Sequence, residues 1–342
     1  MPGKLPIDHK VQGDSDREKG RSSGLSACHP DYVLKVSLPS RLLDRLTFLI
    51  LLIIFSAGVP KVTAQQLPVY TQFMFNSYVF NPAVAGTDDY YQVRLNSRFQ
   101  WVGMTDPPQT NSLSVYGPHT EKDMGFGGYI YNDVTGPTSR NGLYGSYAHN
   151  LPVNDQIRLS MGLSAGVIQN RVDGTRISLL DPSDPALVNA ASSDFSPDAT
   201  LGVYLYSSDF HVGFSAHQLF GNTLNFSEED TGLNKLKTHF YLTGGYIYSL
   251  DYNFSLESFV IIRGSMPTPV QADLNLKVHY QNMLWMGVSV RSQDAVSFLV
   301  GYTHENRFQF GYSYDMSFSP IRHHNSGSHE VFLGMRFNPV KQ

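Results

Sequence analysis

The feature that most constrains the fold is a two-residue alternation of apolar and polar side chains, which recurs with breaks from about Tyr90 to Phe337. Within Asp273–Tyr280, for example, every second residue is apolar and the residues between are polar. Successive side chains of a β-strand point to opposite faces, so each such stretch forms one apolar and one polar face. A soluble β-sandwich gives the same alternation, so the choice between a sandwich and a membrane barrel needs other features of the sequence.

Composition and loop lengths favour the barrel. Charged residues make up 16% of the chain, against about 25% in soluble proteins. Aromatic residues reach 13%, and the mean hydropathy of −0.22 is unremarkable, as expected when only alternate residues face lipid. Connections after odd-numbered strands are mostly longer than those after even-numbered strands, as in outer-membrane barrels with short periplasmic turns. We therefore predict an all-β fold, a transmembrane antiparallel β-barrel of about fourteen strands over residues 90–338.

An export segment precedes the predicted barrel. The apolar run at residues 46–55 follows Arg41 and Arg45, and Val62-Thr63-Ala64 offers small residues to a signal peptidase. We interpret residues 41–64 as a signal peptide cleaved after Ala64, which implies export through the Sec pathway to the outer membrane. The run is short for a membrane-spanning helix of roughly 20 residues, and an uncleaved anchor is the alternative. Residues 1–40 are polar and of mixed charge, and we interpret them as an extension ahead of the true start.

Several classes of function lack support. The net charge is −4 without a basic run after the signal, so no nucleic-acid partner is expected. The single cysteine, Cys28, lies ahead of the apolar run, so neither lipidation there nor a disulfide is expected. His323, His324, His329 and Glu330 match no recognised metal site, and we interpret them as a solvated turn. No motif supports catalysis or a cofactor, so we predict no enzyme, with a lipid-hydrolysing barrel as a rival.

Charged residues of both signs fall on predicted lumen-facing positions. We expect them to pair across a closed barrel, and the alternative is that they line a polar channel. They are Arg94, Arg98, Arg158, Glu257, Arg263, Asp273, Lys277 and Arg291.

Two groups of motifs, one just after the signal and one at the chain's end, carry a family resemblance, and one further motif lies between them. They are Tyr70–Asn76, Asn81–Gly86, Arg98–Gly103, Phe195–Asp198, Gly311–Asp315 and Gly327–Glu330. Over about residues 66–338 the chain resembles the PorP/SprF family of outer-membrane proteins associated with type IX secretion and gliding motility. The resemblance implies a non-enzymatic barrel with lipid, type IX secretion components and the C-terminal domains of exported or anchored surface adhesins as partners. A porin-like or hydrophobic-compound channel is the rival function.

The segment 65–89 and the two longest outside loops are the candidate binding regions. Asn81-Pro82 and Ala85-Gly86 predict turns, so we expect residues 72–86 to form a plug in the lumen mouth, a docking face for periplasmic partners, or a purely structural segment. The predicted loops Arg171–Pro197 and Leu219–Lys237 are expected to contact exported cargo or to form a lid. The candidate partner-binding residues are Gln72, Phe73, Phe75, Asn76, Asn81, Pro82, Gly86, Trp101, Asp181, Asp184, Phe220 and Phe226.

Overall fold

The computed structural model describes residues 70–176, 192–223, 236–265 and 268–338. Within them, fourteen strands form one closed barrel in which each strand pairs antiparallel with its neighbours in sequence and β1 pairs with β14. The predicted architecture is therefore confirmed. The strands are β1 Tyr91–Phe99, β2 Gln109–Pro118, β3 Met124–Thr135, β4 Thr138–Pro152, β5 Arg158–Val172, β6 Ser192–Tyr206, β7 Phe210–His217, β8 His239–Ser249, β9 Phe254–Gly264, β10 Gln271–Tyr280, β11 Leu284–Arg291, β12 Ala295–His304, β13 Phe308–Ser317 and β14 Ser328–Phe337.

The two ends of the barrel differ in their connections. The short-turn mouth is the end where β1 begins and β14 ends, and it carries the turns at residues 119–123, 153–157, 207–209, 250–253, 281–283 and 305–307. The long-loop end carries the other seven connections, among them 100–108, 173–191 and 218–238. In outer-membrane barrels the short turns face the periplasm. The predicted extension 1–40, the signal peptide 41–64 and Cys28 lie outside the described residues.

Outward and inward faces of the barrel wall have opposite polarity. On β10, Leu274 and Leu276 are 48% and 46% exposed on the outer face, whereas Asp273, Asn275 and Lys277 are buried on the inner face. This is the reverse of a soluble barrel, where the apolar face would be turned inward. The outer wall thus presents the apolar surface that lipid requires. No helix among the described residues is long and apolar enough to cross a membrane.

Charge on the outer wall should therefore destabilise the barrel according to depth. We expect Leu276→Arg, near the middle of β10, to lower the free energy of unfolding by about 2–4 kcal/mol, because the guanidinium would face hydrocarbon. The matched variant Tyr280→Arg, at the end of the same strand, should cost about 0–1 kcal/mol. Urea titration of the barrel in lipid vesicles measures both values, and equal losses would argue against a lipid-facing wall.

The start of β6 differs from the sequence expectation. The predicted strand Ala199–Ser207 and the predicted loop up to Pro197 are wrong at this boundary, because β6 already begins at Ser192. Residues 192–200 pair with β5 alone, since pairing with β7 begins at Leu201. Proline is tolerated where one side of a strand is unpaired, so the absent N–H of Pro197 does not interrupt the strand.

Candidate functional site

The lumenal segment, residues 70–89, lies inside the barrel. It consists largely of three short 3₁₀ turns, Phe73–Phe75, Ser77–Val79 and Pro82–Val84. Its hydrogen bonds reach β1, β2, β4, β6, β7, β11, β13 and β14, and its aromatic rings contact β8 and β9, so it touches strands on all sides of the wall. Because strands surround the segment on every side, the segment lies in the lumen of the barrel. Most residues of the segment are consequently buried, and several of the buried ones are polar.

Aromatic and hydroxyl groups fix the middle of the lumenal segment. The ring of Tyr78 stacks on Tyr116 of β2 with centroids 4.5 Å apart. Its hydroxyl donates to Oγ of Ser146 on β4 at 2.7 Å. Burial raises the pKa of Tyr78, so this hydroxyl keeps its proton and remains a donor. Further along, the carbonyl oxygen of Phe80 accepts from Oγ of Ser215 on β7 at 2.6 Å.

Inward-facing glycines give the segment room to approach the wall. A Cβ atom added at Gly162 of β5 would collide with the backbone nitrogen of Ala83, and one added at Gly125 of β3 would collide with the carbonyl group of Ala85. Gly86 packs directly against Gly125 of β3. Its own φ is +75°, a backbone conformation that favours glycine. Glycine inside strands thus lets another backbone pass close to the wall. A side chain at either strand position would require the segment to move.

A network of buried ion pairs, the ion cluster, lies toward the long-loop end. It contains Arg98, Arg263, Asp273, Arg291, Asp315 and Glu330, each at most 9% exposed. Nη2 of Arg98 is 2.7 Å from Oδ2 of Asp315, and its Nη1 is 3.3 Å from Oε2 of Glu330. Oδ2 of Asp273 lies 2.6 Å from Arg263 and 3.1 Å from Arg291. The predicted pairing of lumen charges is thus confirmed for Arg98, Arg263, Asp273 and Arg291.

The ion cluster holds the start of the lumenal segment. The backbone nitrogens of Thr71 and Gln72 donate to the two carboxylate oxygens of Glu330 at 2.6 and 3.1 Å. Oγ1 of Thr71 donates to Oδ2 of Asp315 at 2.7 Å and accepts from Nη1 of Arg98 at 2.6 Å. Bonds to charged groups are the stronger class, so this end of the segment is its firmest attachment.

A polar cavity of about 560 Å³, the mouth cavity, opens at the short-turn mouth. It lies between the lumenal segment and the wall, and both Phe75 and Asp88 line it. On its wall, Nζ of Lys277 is 2.7 Å from Oε2 of Glu257 and sits 4.1 Å from the ring centroid of Phe75. The guanidinium of Arg94 donates to side-chain amides rather than to a carboxylate. A molecule entering this cavity would touch the segment and the wall together.

The predicted partner-binding residues fall into three groups. Those within the lumenal segment are Gln72, Phe73, Asn76, Asn81 and Pro82, which are buried, and Phe75 and Gly86, which are half-buried. Two others lie apart from that segment at the long-loop end: Trp101, whose backbone nitrogen donates to Ser328 Oγ at 3.1 Å, and Phe220, which is 60% exposed. Asp181, Asp184 and Phe226 lie outside the described residues.

Sequence reasoning missed the residues that anchor the segment. Glu330 is fully buried in the ion cluster, so its assignment to a solvated turn is wrong, whereas His323 and His324 do lie in an exposed turn. Thr71 and Asp315 lie within the motifs Tyr70–Asn76 and Gly311–Asp315, but the sequence assigned neither of them a role. The sequence feature that could have revealed the anchoring carboxylates is the position of Asp315 and Glu330 on the inward face of the last two strands. A buried carboxylate there needs a partner. No group of potential metal ligands is found among the described residues.

Residues 62–335 match the family model described as type IX secretion system membrane protein PorP/SprF. Solved structures similar to the chain include "CymD monoaromatic hydrocarbon channel", 12% identical over 80% of this chain and 94% of that chain with a TM-score of 0.46. Others are a Pseudomonas aeruginosa FadL homologue, 12% identical over 76% and 93% with a TM-score of 0.43, and "KdgM porin", 9% identical over 72% and 99% with a TM-score of 0.38. Among curated proteins, none matches the chain.

Proposed function

The chain belongs to the PorP/SprF family of type IX secretion system membrane proteins, and from this membership we propose that it helps to export or anchor surface adhesins at the outer membrane. In this proposal the protein is an interaction partner in the machinery, not an enzyme and not a general pore. Gliding motility is a natural use of such adhesins. The signal peptide 41–64 would direct Sec export and leave a mature chain starting at Gln65, which N-terminal sequencing of the membrane-extracted protein would reveal.

The observation that carries the proposal is that the lumen is occupied by the chain's own segment. Residues 70–86 occupy lumen space that a porin-like or hydrophobic-compound channel would need, and they are held by charge-assisted bonds at Glu330 and Asp315. Inward glycines that fit the segment's backbone support a permanent resident rather than a loosely bound tail. A barrel whose lumen is occupied by its own chain is better suited to binding partners at its two ends than to letting solutes diffuse through it.

The two ends of the barrel suit different partners. The mouth cavity faces the periplasm in the usual orientation, so we assign it to a periplasmic component of the machinery. The long-loop end carries the exposed Phe220, and we assign it to the C-terminal domain of the adhesin. Among the segment's buried candidates, Gln72 and Asn81 are better explained as plug contacts than as a docking face, because the wall covers them.

A pull-down tests this assignment. The tagged barrel, extracted in mild detergent from its native outer membrane, should carry type IX components or one large adhesin that mass spectrometry identifies. Phe220→Ser should lower adhesin recovery several-fold, because an exposed aromatic anchor is lost. Tyr252→Ser, at an equally aromatic and 99% exposed site in the turn between β8 and β9 at the short-turn mouth, is the matched control and should leave adhesin recovery unchanged. Recovery of the bare barrel from membranes that contain the machinery would favour the channel function.

A further inference from the structure

The outer wall of β2–β5 carries a row of side-chain amides. The amide row consists of Asn111, Asn132, Asn141 and Gln169, which are cross-strand partners on consecutive strands. Each lies within three residues of the long-loop end of its strand. Their positions alternate with the inward residues, so all four face outward on the wall that otherwise meets lipid. Amides facing hydrocarbon without partners are costly, so the row calls for an explanation.

Hydrogen bonds within the row satisfy only part of its capacity. Nδ2 of Asn132 donates to Oδ1 of Asn141 at 2.7 Å, and Nδ2 of Asn141 donates to Oε1 of Gln169 at 3.2 Å. At the other end, Oγ of Ser97 on β1 donates to Oδ1 of Asn111 at 2.6 Å. Each amide offers two donor hydrogens and a carbonyl oxygen with two lone pairs. Donors and acceptors therefore remain along the row for a molecule outside the barrel.

The row borders a concave apolar groove of about 640 Å³ on the outer wall. Its volume is within the range of about 300–1,000 Å³ that is usual for ligand sites. Leu113, Ile130, Leu143 and Val167 line it, each two residues nearer the middle of its strand than the neighbouring amide. Phe195, 64% exposed, closes the side of the groove on β6. The site is thus polar toward the long-loop end and apolar toward the middle of the membrane.

The polar row is confined to one side of the barrel wall. Elsewhere on the wall, Val290 of β11 and Met316 of β13 each stand one residue from the long-loop end of their strands and are exposed apolar side chains. Phe318, just beyond β13, is exposed as well. A general change from hydrocarbon to headgroup would give polar residues at this level on every side. The amide row and its groove are instead a local feature of β1–β6.

We propose that this groove binds a glycolipid of the outer leaflet, with sugar hydroxyls on the amide row and an acyl chain along the apolar floor. The order of polar row and apolar floor matches a lipid whose head points toward the long-loop end. Hydroxyls donate and accept, as amides do, whereas a phosphate only accepts and is matched better by arginine or lysine. Four neighbouring strands extend the row over roughly 14 Å, enough for more than one sugar ring. The proposal goes beyond the secretion function and does not depend on it.

Native mass spectrometry of the barrel released from its own outer membrane in mild detergent tests the proposal. The natural protein should retain glycolipid. The double variant Asn132→Leu and Asn141→Leu should reduce the glycolipid-bound fraction roughly tenfold, since hydrogen bonds to the head are lost. Phe195→Ala should also reduce the glycolipid-bound fraction, because it removes the aromatic ring that closes one side of the groove. This variant leaves all four amides in place. Both leave the lumen untouched.

The matched control is Ser258→Leu, another polar-to-apolar change on the outer face, on β9. It should retain glycolipid at the natural level. Unchanged glycolipid in the double variant would overturn the proposal, and so would equal retention of ordinary phospholipid at the same site. Co-purification of a protein that depends on the amide row, with glycolipid unaffected, would identify the groove as a protein interface instead.

Discussion

A barrel with valine at both Gly125 and Gly162 should conduct ions across a planar lipid bilayer, whereas the natural barrel should stay closed. The new side chains would occupy positions now held by the backbone of Ala83 and Ala85, so the lumenal segment must leave its place. The wall should survive, because valine suits a β-strand better than glycine does. Single-channel recording would show discrete current steps in the variant.

The control for this experiment is Gly145→Val. Gly145 is an outward position on β4, and a Cβ atom there meets no atom within 4 Å. The same glycine-to-valine change, made where the segment is out of reach, should leave the barrel closed. Open natural barrels, or steps of equal size in the control, would contradict the view of residues 70–86 as a plug and would favour a channel.

Arg98→Leu should lower the free energy of unfolding by about 3–5 kcal/mol, because removing one partner leaves a buried charge uncompensated. Glu330, fully buried, would lose its cation and would be left with neutral donors such as the backbone nitrogens of Thr71 and Gln72. The start of the lumenal segment should loosen with it. Urea titration measures the loss of stability, and limited proteolysis after residue 70 measures release of the segment.

Two further variants separate charge from packing. Adding Glu330→Gln to Arg98→Leu removes the uncompensated charge while keeping the side-chain size, so the pair should be more stable than the single variant. Arg158→Leu removes the exposed ion pair with Asp123 at the short-turn mouth and should cost less than about 1 kcal/mol. If all three variants lose the same stability, burial of the ion cluster is not what anchors the segment.

The barrel was predictable from the sequence because its signal is local. Alternation such as that of β10 recurs in most strands, and each such strand independently indicates which side faces lipid. The start of β6 was missed because Pro197 usually ends a strand. Its tolerance depends on β7 being absent beside residues 192–200, a fact about a neighbouring strand and not about the proline itself.

The interior of the barrel was predictable only in part. Turn residues in Asn81–Gly86 marked the lumenal segment as irregular and made a plug in the lumen mouth one of its expected roles. The partners of the segment were beyond reach, because Thr71 meets Asp315 across 244 residues of chain. Such a pairing depends on the register with which the sheet closes, and alternation does not determine the register of distant strands.

The pairing of β1 with β14 also determines when the lumenal segment can dock during assembly of the barrel. The site that holds Thr71 combines Arg98 from the first strand with Glu330 from the last, so it is complete only when the two ends of the sheet have met. A nascent barrel that lacks its final strand has neither a closed wall nor an anchor for its plug. Residues 70–72 can therefore dock only after the last strand has been inserted. Their docking marks the completion of barrel assembly.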